Sequence, residues 1–406
     1  MRILFLDEKS WRKKVPYTIH YLAEQLVGRG HKVFAIDFDD TWQKVGFLDF
    51  WSPASRCRIG KLDEGRAVDV VSPGFIKVAA LSRISALLTH TAAIAKIIRH
   101  EQIDAIVTYS LTNAVPAVVV SRALGVPLLF HSIDMLAPLV PHPLLAKPAE
   151  WLEALLVRRS DCTLALTPVF EERARRIGAR HTAVIPNGVA LGRLRPGLDC
   201  ESLREELGLK GLKVVLFVGT FTPHVGLAGL LRAFAQRPWP DTRLVLVGDD
   251  VVTQGRERRS AEAECRSLGI ADLVIFTGLQ PADKVPLYIN LADVCISPFP
   301  PSTFSKYNIA MKVFEYMACA KPTVCFDLEG TKSLAPAGVS GVEYVGSYGE
   351  MMDCIRHLLD DAERRSRLGA LGRQRVEQEF SWDQVGLQLE GVIRATICRE
   401  RRDTKL

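Results

Sequence analysis

The stretch RILFLDEKSWRKKVPYTIHYLAEQLVGRGHKVFAID, residues 2–37, decides the reading of the fold. RILFL and HKVFAID are short apolar runs without polar alternation, the pattern of strands covered on both faces. Between them IHYLAEQLVGRGH sets Ile19, Leu22, Leu26 and Val27 at helical spacing, and Gly28 and Gly30 end the helix. Strand, helix and strand in succession imply a parallel pair joined by a crossover. The loop after the first strand has no G-x-G-x-x-G, which argues against a nicotinamide-binding first domain.

The alternation continues outward. DAIVTYS, PLLFHS, CTLALT and TAVIP read as further strands. After the turn-rich LGRLRPGLDCESLREELGLKGLK the pattern starts again with KVVLFVG, RLVLVGDD, LVIFTG, VCISPF and PTVCFD. Helices such as LAGLLRAFAQ and NIAMKVFEYMACA lie between these strands. The expected class is α/β, with two Rossmann-like, doubly wound parallel-sheet domains facing a cleft. The expected division is 1–192, 193–380, and a C-terminal helix with a basic tail over 381–406 that returns towards the first domain. A chain of 406 residues suits two such cores. In open parallel sheets ligands bind beyond the carboxyl ends of the strands, where strand order reverses.

Composition narrows the function classes. A balance of 48% hydrophobic and 24% charged residues is that of a folded globular chain. The net charge of +6 fits an anionic ligand or an acidic membrane surface. No basic stripe with interleaved aromatics is present, so nucleic acid is not the expected partner. Nine scattered cysteines without metal-ligand spacing fit a reducing cytoplasm. MRILFLDEKSW passes from an apolar run straight into charge and reads as a first strand, not a signal peptide. The nearest approach to a membrane span, VAALSRISALLTHTAAIAKIIRH from Val78, carries Arg83 and reads as an amphipathic helix. Asp37-Phe38-Asp39 spells an acidic pair of the kind that holds a divalent ion, but it closes a strand, where acidic residues are ordinary turn formers. No metal is expected.

KVFEYMACAKPTVCFD, residues 312–327, carries the most chemistry. Lys312 and Glu315 are three apart and share a helix face, and Lys321-Pro322 break the helix before the next strand. A carboxylate at a sheet edge suits a ribose diol, because it accepts two hydroxyl hydrogen bonds. A surface Lys–Glu pair, contributing only a few tenths of a kcal/mol, has the same spacing. The string K-x-F-E-Y-M-A followed by K-P-x-V resembles the donor-site signature of family 4 glycosyltransferases, which have the GT-B fold. SDCTLALTPVFEERARRIGARHTAVIPNGVALGRLRP is similar to that family's end of the first domain, VVLFVGTFTPHVGLAGLLRAFA to its second-domain start, and LVIFTGLQPADKVPLYINLADVCISPF to the stretch before the donor motif. FSW at Phe380 resembles its entry to the C-terminal helix.

This resemblance implies a retaining transfer of a sugar from a nucleoside diphosphate sugar to a hydroxyl of a sugar or lipid-linked acceptor, without an essential metal. Polysaccharide or glycolipid assembly at the inner face of the cell membrane is the setting it suggests. By the same resemblance Glu315 holds the ribose, and Gly219 with its loop, Thr220 and His224 included, lies along the diphosphate. Gly330 and Thr331 offer backbone N–H groups to phosphate at a helix start. The family's usual Arg and Lys fall here at Thr220 and Val225, and its first glutamate at Tyr307, so Lys312 is expected to supply the missing positive charge. His131 and Lys312 are the expected catalytic groups. His131 and Asp134, in LLFHSIDM, are expected just beyond a strand's carboxyl end. Arg12 and Lys13, with Trp11 and Tyr17, are expected on the acceptor side, facing a phosphate-bearing acceptor or a membrane. The missing residues leave one alternative, a non-catalytic nucleotide-sugar-binding scaffold, and a sugar-nucleotide epimerase of similar fold is a second.

Overall fold

A computed structural model describes residues 1–38, 50–109, 113–133, 146–237, 239–250, 254–302 and 311–403. The chain divides into two units, Met1–Gly188 with Trp382–Leu406, and Val189–Ser381. The crossings therefore fall at Gly188 and Trp382, not in the Pro/Gly-bearing segment near 192. Local bonding explains the shift: the Val189 N–H donates to the Phe380 carbonyl at 2.7 Å, and Arg373 Nη1 donates to the Leu194 carbonyl at 2.9 Å. Residues after Gly188 are thereby already tied into the second unit.

The first unit runs β1 (Arg2–Leu6), α1 (Thr18–Gly28), β2 (Lys32–Ile36), β3 (Trp51–Ser52), β4 (Ser55–Ile59), β5 (Val68–Ser72), β6 (Phe75–Ile76), α2 (Ala79–Glu101), β7 (Ala105–Thr108), α3 (Ala114–Leu124), β8 (Leu128–Ser132), α4 (Ala146–Arg159), β9 (Cys162–Ala165), α5 (Pro168–Ile177) and β10 (Thr182–Val184). Its main sheet has the order β10-β9-β8-β7-β1-β2-β5-β4, parallel except for β4 against β5. Each expected strand of this half is present. The sequence reading missed β4 and β5, whose Arg56, Arg58 and Asp69 interrupt the apolar run. Leu4, Leu6, Phe34, Ile36, Ile106 and Leu128 fill one face of the sheet, where Ile94 and Ile98 of α2 cover them.

The second unit runs α6 (Glu201–Glu206), β11 (Lys213–Val218), α7 (Leu227–Ala235), β12 (Thr242–Val247), α8 (Arg256–Ser267), β13 (Val274–Gly278), α9 (Val285–Leu291), β14 (Val294–Ser297), α10 (Met311–Ala318), β15 (Thr323–Phe326), α11 (Glu329–Leu334), β16 (Val342–Val345), α12 (Tyr348–Asp360) and α13 (Ala362–Glu379). Its six strands are all parallel in the order β13-β12-β11-β14-β15-β16. Phe217, Leu230, Phe234, Trp239, Leu244 and Ile296 anchor its core. The last helix, α14 (Trp382–Asp403), packs on α1 in the first unit.

Gly188 of PNGV and Trp382 of FSW meet within the first unit, and the contact explains why glycine stands there. The Trp382 ring stacks on Tyr21 with centroids 4.4 Å apart. A Cβ added at Gly188 would come within 2.6 Å of that indole and 2.9 Å of the Trp382 backbone. Gly188→Ala is expected to cost about 1–3 kcal/mol through overpacking. Gly192→Ala, whose added Cβ meets nothing within 4 Å, is the matched control and leaves stability nearly unchanged. Thermal denaturation of the two variants checks this, and equal melting temperatures would contradict it.

Candidate functional site

Strand order in the second unit reverses at β11, between β12 and β14, so the switch point lies at the carboxyl ends of β11 and β14. Gly219 follows β11 directly. Helix α10 buries Val313, Phe314, Tyr316 and Met317, which leaves Lys312 and Glu315 half-buried on its other side. Two contacts fix the helix. The Val218 N–H donates to the Tyr316 hydroxyl at 2.9 Å, and Phe314 packs against Phe380 at 4.8 Å.

That anchoring lays the Lys312 side chain across Gly219. A Cβ at Gly219 would lie 2.0 Å from Lys312 Cε and 2.7 Å from its Nζ, so only glycine leaves room for the lysine. Behind it, a Cβ at Gly248 would lie 1.9 Å from the Gly219 carbonyl oxygen, and the Gly219 N–H donates to the Val247 carbonyl at 2.8 Å. The ammonium stands 5.8 Å from the Phe217 ring and 5.6 Å from the Phe299 ring, within cation–π range of both.

Among the described residues no hydrogen bond or ion pair reaches Lys312 Nζ or the Glu315 carboxylate. Burial pulls the Lys312 pKa below its usual value, opposed by Glu315. Burial also raises Glu315, opposed by Lys312 and Arg193. The result is a desolvated cation and a carboxylate one turn apart, each free to take a ligand.

The structure thus brings Gly219, Lys312 and Glu315 together. Thr220 and His224 stand exposed on the loop after β11, and Val225 is fully buried in the core. Gly330 and Thr331 are buried in the first turn of α11, after β15. Tyr307 lies outside the described residues. Sequence reasoning missed Phe299, which VCISPF places immediately beyond the end of β14.

In the first unit the order reverses at β1, between β7 and β2, and a buried polar cluster occupies that sheet edge. Asp7 follows β1 and takes a hydrogen bond from the Tyr17 hydroxyl. Tyr109 follows β7, with its hydroxyl buried and unpartnered among the described residues. His131 corrects an expectation: it lies inside β8, fully buried, not beyond its end. Its Nε2 meets the Ile185 carbonyl at 3.2 Å, its Nδ1 has no partner among the described residues, and its ring packs on Tyr109 at 4.7 Å. Asp134 lies outside the described residues. Asp7 and Tyr109 went unread in the sequence, although each is the first residue after its strand.

Arg12 and Lys13 are exposed, and Arg12 Nε meets Cys57 Sγ at 3.1 Å. Trp11 corrects the acceptor-side expectation, because it is fully buried and its backbone N–H donates to the Asp37 carboxylate at 2.7 Å. Tyr17 is likewise engaged, with Asp7. Asp37 is buried and also accepts from Ser72, whereas Asp39 lies outside the described residues. Among the described residues no group of three or more His, Cys, Asp or Glu is placed to hold a metal.

Burial lowers His20, His90 and His131 from 6.5 to about 4. A histidine whose folded pKa is depressed leaves the unfolded chain binding more protons between those values, so stability is lost as pH falls from 6.5 towards 4. Asp7, raised by burial from 3.8 to about 6, acts oppositely: its contribution is present at low pH and lost as pH rises through 6. Each histidine contributes roughly 3 kcal/mol at full titration and Asp7 about as much in the opposite sense, so the three together outweigh it. Melting temperature is expected to drop steeply below pH 6, and the drop to shrink in His131→Gln. A variant with an unaltered pH profile would show that His131 does not carry this load.

With this geometry in hand, comparison with known proteins places the chain. Residues 15–188 match the family model for a glycosyl transferase 4-like domain, and residues 199–375 match that for glycosyl transferases group 1. Each unit thus carries a glycosyl transferase domain, on the GT-B fold. The chain is 28% identical to the alpha-D-kanosaminyltransferase of Streptomyces kanamyceticus over 68% of this chain and 72% of that protein. It is 32% identical to the D-inositol 3-phosphate glycosyltransferase of Segniliparus rotundus over 68% of this chain and 62% of that one, so less than two thirds of the latter is spanned. Its fold matches that of Anabaena HepE, solved in complex with UDP, with a TM-score of 0.76, 20% identity, and coverage of 97% of this chain and 100% of that one.

Proposed function

We propose that this glycosyltransferase moves a sugar, with retention of configuration, from a nucleoside diphosphate sugar to an acceptor hydroxyl. The observation that carries the reading is the Lys312 ammonium: a desolvated cation that no hydrogen bond or ion pair to a described residue holds, laid over Gly219 at the switch point. A diphosphate beside Gly219 meets that charge, and the N–H groups at the start of α11, around Gly330 and Thr331, supply neutral donors. Glu315, one turn on, accepts hydrogen bonds from the ribose diol. The K-x-F-E-Y-M-A string resembles that of a subset of the family that likewise lacks the usual Arg and Lys and the first glutamate.

In the transition state the diphosphate departs with growing negative charge, which Lys312 stabilises most where water is excluded. The departing phosphate oxygen accepts the acceptor's proton on the same face, so no carboxylate nucleophile is required. This route draws on no metal ion, and turnover is expected to survive a chelator. His131, buried inside β8, is assigned to positioning Tyr109 at the end of the first unit's strands, and Arg12 and Lys13 to a phosphate-bearing or lipid-linked acceptor. The enzyme is placed in the cytoplasm, peripheral to the inner face of the membrane, in polysaccharide or glycolipid assembly.

A second reading, a binding subunit without turnover, is favoured by one observation: Val225, where the family's lysine falls, is a core residue. Thermal stability against a panel of nucleoside diphosphates and nucleotide sugars tests both. One nucleotide is expected to raise the melting temperature, and Lys312→Ala and Glu315→Ala to shrink that rise. No response in the wild type would overturn the donor site. A response without turnover on any acceptor would establish the second reading.

A further inference from the structure

Helix α2 is the one described helix long and apolar enough to cross a bilayer by length and composition, yet only 33% of its most apolar window is buried. Its inner face is spent on the sheet, through Ile94, Ile97 and Ile98. Its outer face begins with Leu81, Ile84, Leu87 and Leu88, of which Ile84 is 57% and Leu88 73% exposed. Spacings of three and four residues put these side chains on one stripe. The stripe does not end with the helix. Trp51 pairs with Ile76 and the Lys77 N–H donates to the Phe50 carbonyl at 2.8 Å, which sets exposed Phe50 and Trp51 beside the start of α2. The His90–Asn113 hydrogen bond aligns the start of α3 with the middle of α2, adding exposed Val115 and Val119.

Charge selects the occupant. α2 and α3 carry Arg83, Lys96, Arg99 and Arg122 against one carboxylate, Glu101, which Lys32 and Arg56 already hold. A two-fold contact between copies would bring these cations towards one another, and protein interfaces are depleted of charge at their centre. An anionic bilayer takes both parts at once: apolar side chains enter the headgroup boundary while lysine and arginine reach lipid phosphates. We propose that the Phe50–Trp51 strand and the outer faces of α2 and α3 form a docking surface for an anionic phospholipid membrane. This gives a location to the peripheral attachment proposed above, and it does not depend on the identity of donor or acceptor.

The test is vesicle flotation of the full chain without nucleotide or acceptor, so that its failure leaves the sugar-transfer reading untouched. The protein is expected to float with vesicles of phosphatidylcholine mixed with phosphatidylglycerol, far less with phosphatidylcholine alone, and to be released by salt. Leu81→Ser/Ile84→Ser/Leu88→Ser and Lys96→Glu/Arg99→Glu are each expected to weaken binding at least tenfold while keeping the wild-type melting temperature. Leu88→Glu alone carries the same expectation should the triple variant fail to fold. No flotation, flotation unchanged in these variants, or a wild-type dimer in light scattering that the triple variant dissociates would overturn the proposal.

Discussion

Lys312→Ala is expected to lower kcat/KM by about 10²–10³-fold, the scale of removing one preorganised donor from a transition state that develops charge. The loss should fall mainly on kcat. On the proposed reading, the diphosphate charge is shared in the ground state with the N–H groups of α11 and with solvent, and in the transition state it concentrates on the departing oxygen, where Lys312 would supply the positive charge. Lys312→Arg is not expected to rescue. Lys312 runs as a thin methylene chain over Gly219, 5.6–5.8 Å from two ring centroids, and a planar guanidinium does not follow that path. Steady-state kinetics with the nucleotide sugar found by thermal shift reads both variants. A Lys312→Ala enzyme within threefold of wild type would remove the lysine from the mechanism.

The distribution of what the sequence disclosed follows burial. Strands covered on both faces read plainly, since Val214–Val218 and Cys295–Ser297 are buried without interruption. Two of the edge strands did not: β4 exposes Arg56 and Arg58, and β16 carries half-buried Glu343 and Tyr344. His131 was placed beyond its strand because a polar residue after LLF reads as the strand's end, yet the Ile185 carbonyl and the Tyr109 ring keep it inside. Trp11 was read as a surface aromatic among lysines, whereas Asp37 draws its backbone inward. Lys312 and Glu315 were legible through spacing and resemblance. Phe217 and Phe299, which flank that lysine, were not, because nothing local in a sequence tells which aromatic ends two strands beside one helix.

Gly219→Ala is expected to disable the enzyme almost as fully as Lys312→Ala while leaving it folded. The added methyl would land 2.0 Å from Lys312 Cε, 2.7 Å from Nζ and 3.1 Å from the Phe217 ring, so something must move. The strand end cannot: its N–H is held by Val247 and its carbonyl lies against Gly248. The lysine can, because its side chain is flexible and no hydrogen bond or ion pair to a described residue holds its ammonium. The methyl therefore displaces the ammonium, by an ångström or more, and the φ of 159° at this glycine, a conformation that residues with side chains rarely adopt, adds a stability cost of about 1–3 kcal/mol. Misplacement on that scale reaches about 10²-fold in rate. Once the lysine is misplaced, deleting it adds little, so the Gly219→Ala/Lys312→Ala double variant should be no slower than the slower single one. Gly248→Ala separates the two effects, since its methyl would meet the Gly219 carbonyl at 1.9 Å; backbone cannot swing aside, and the cost falls on stability. A fully active Gly219→Ala enzyme would mean that the lysine acts from some other position than the one it holds over this glycine.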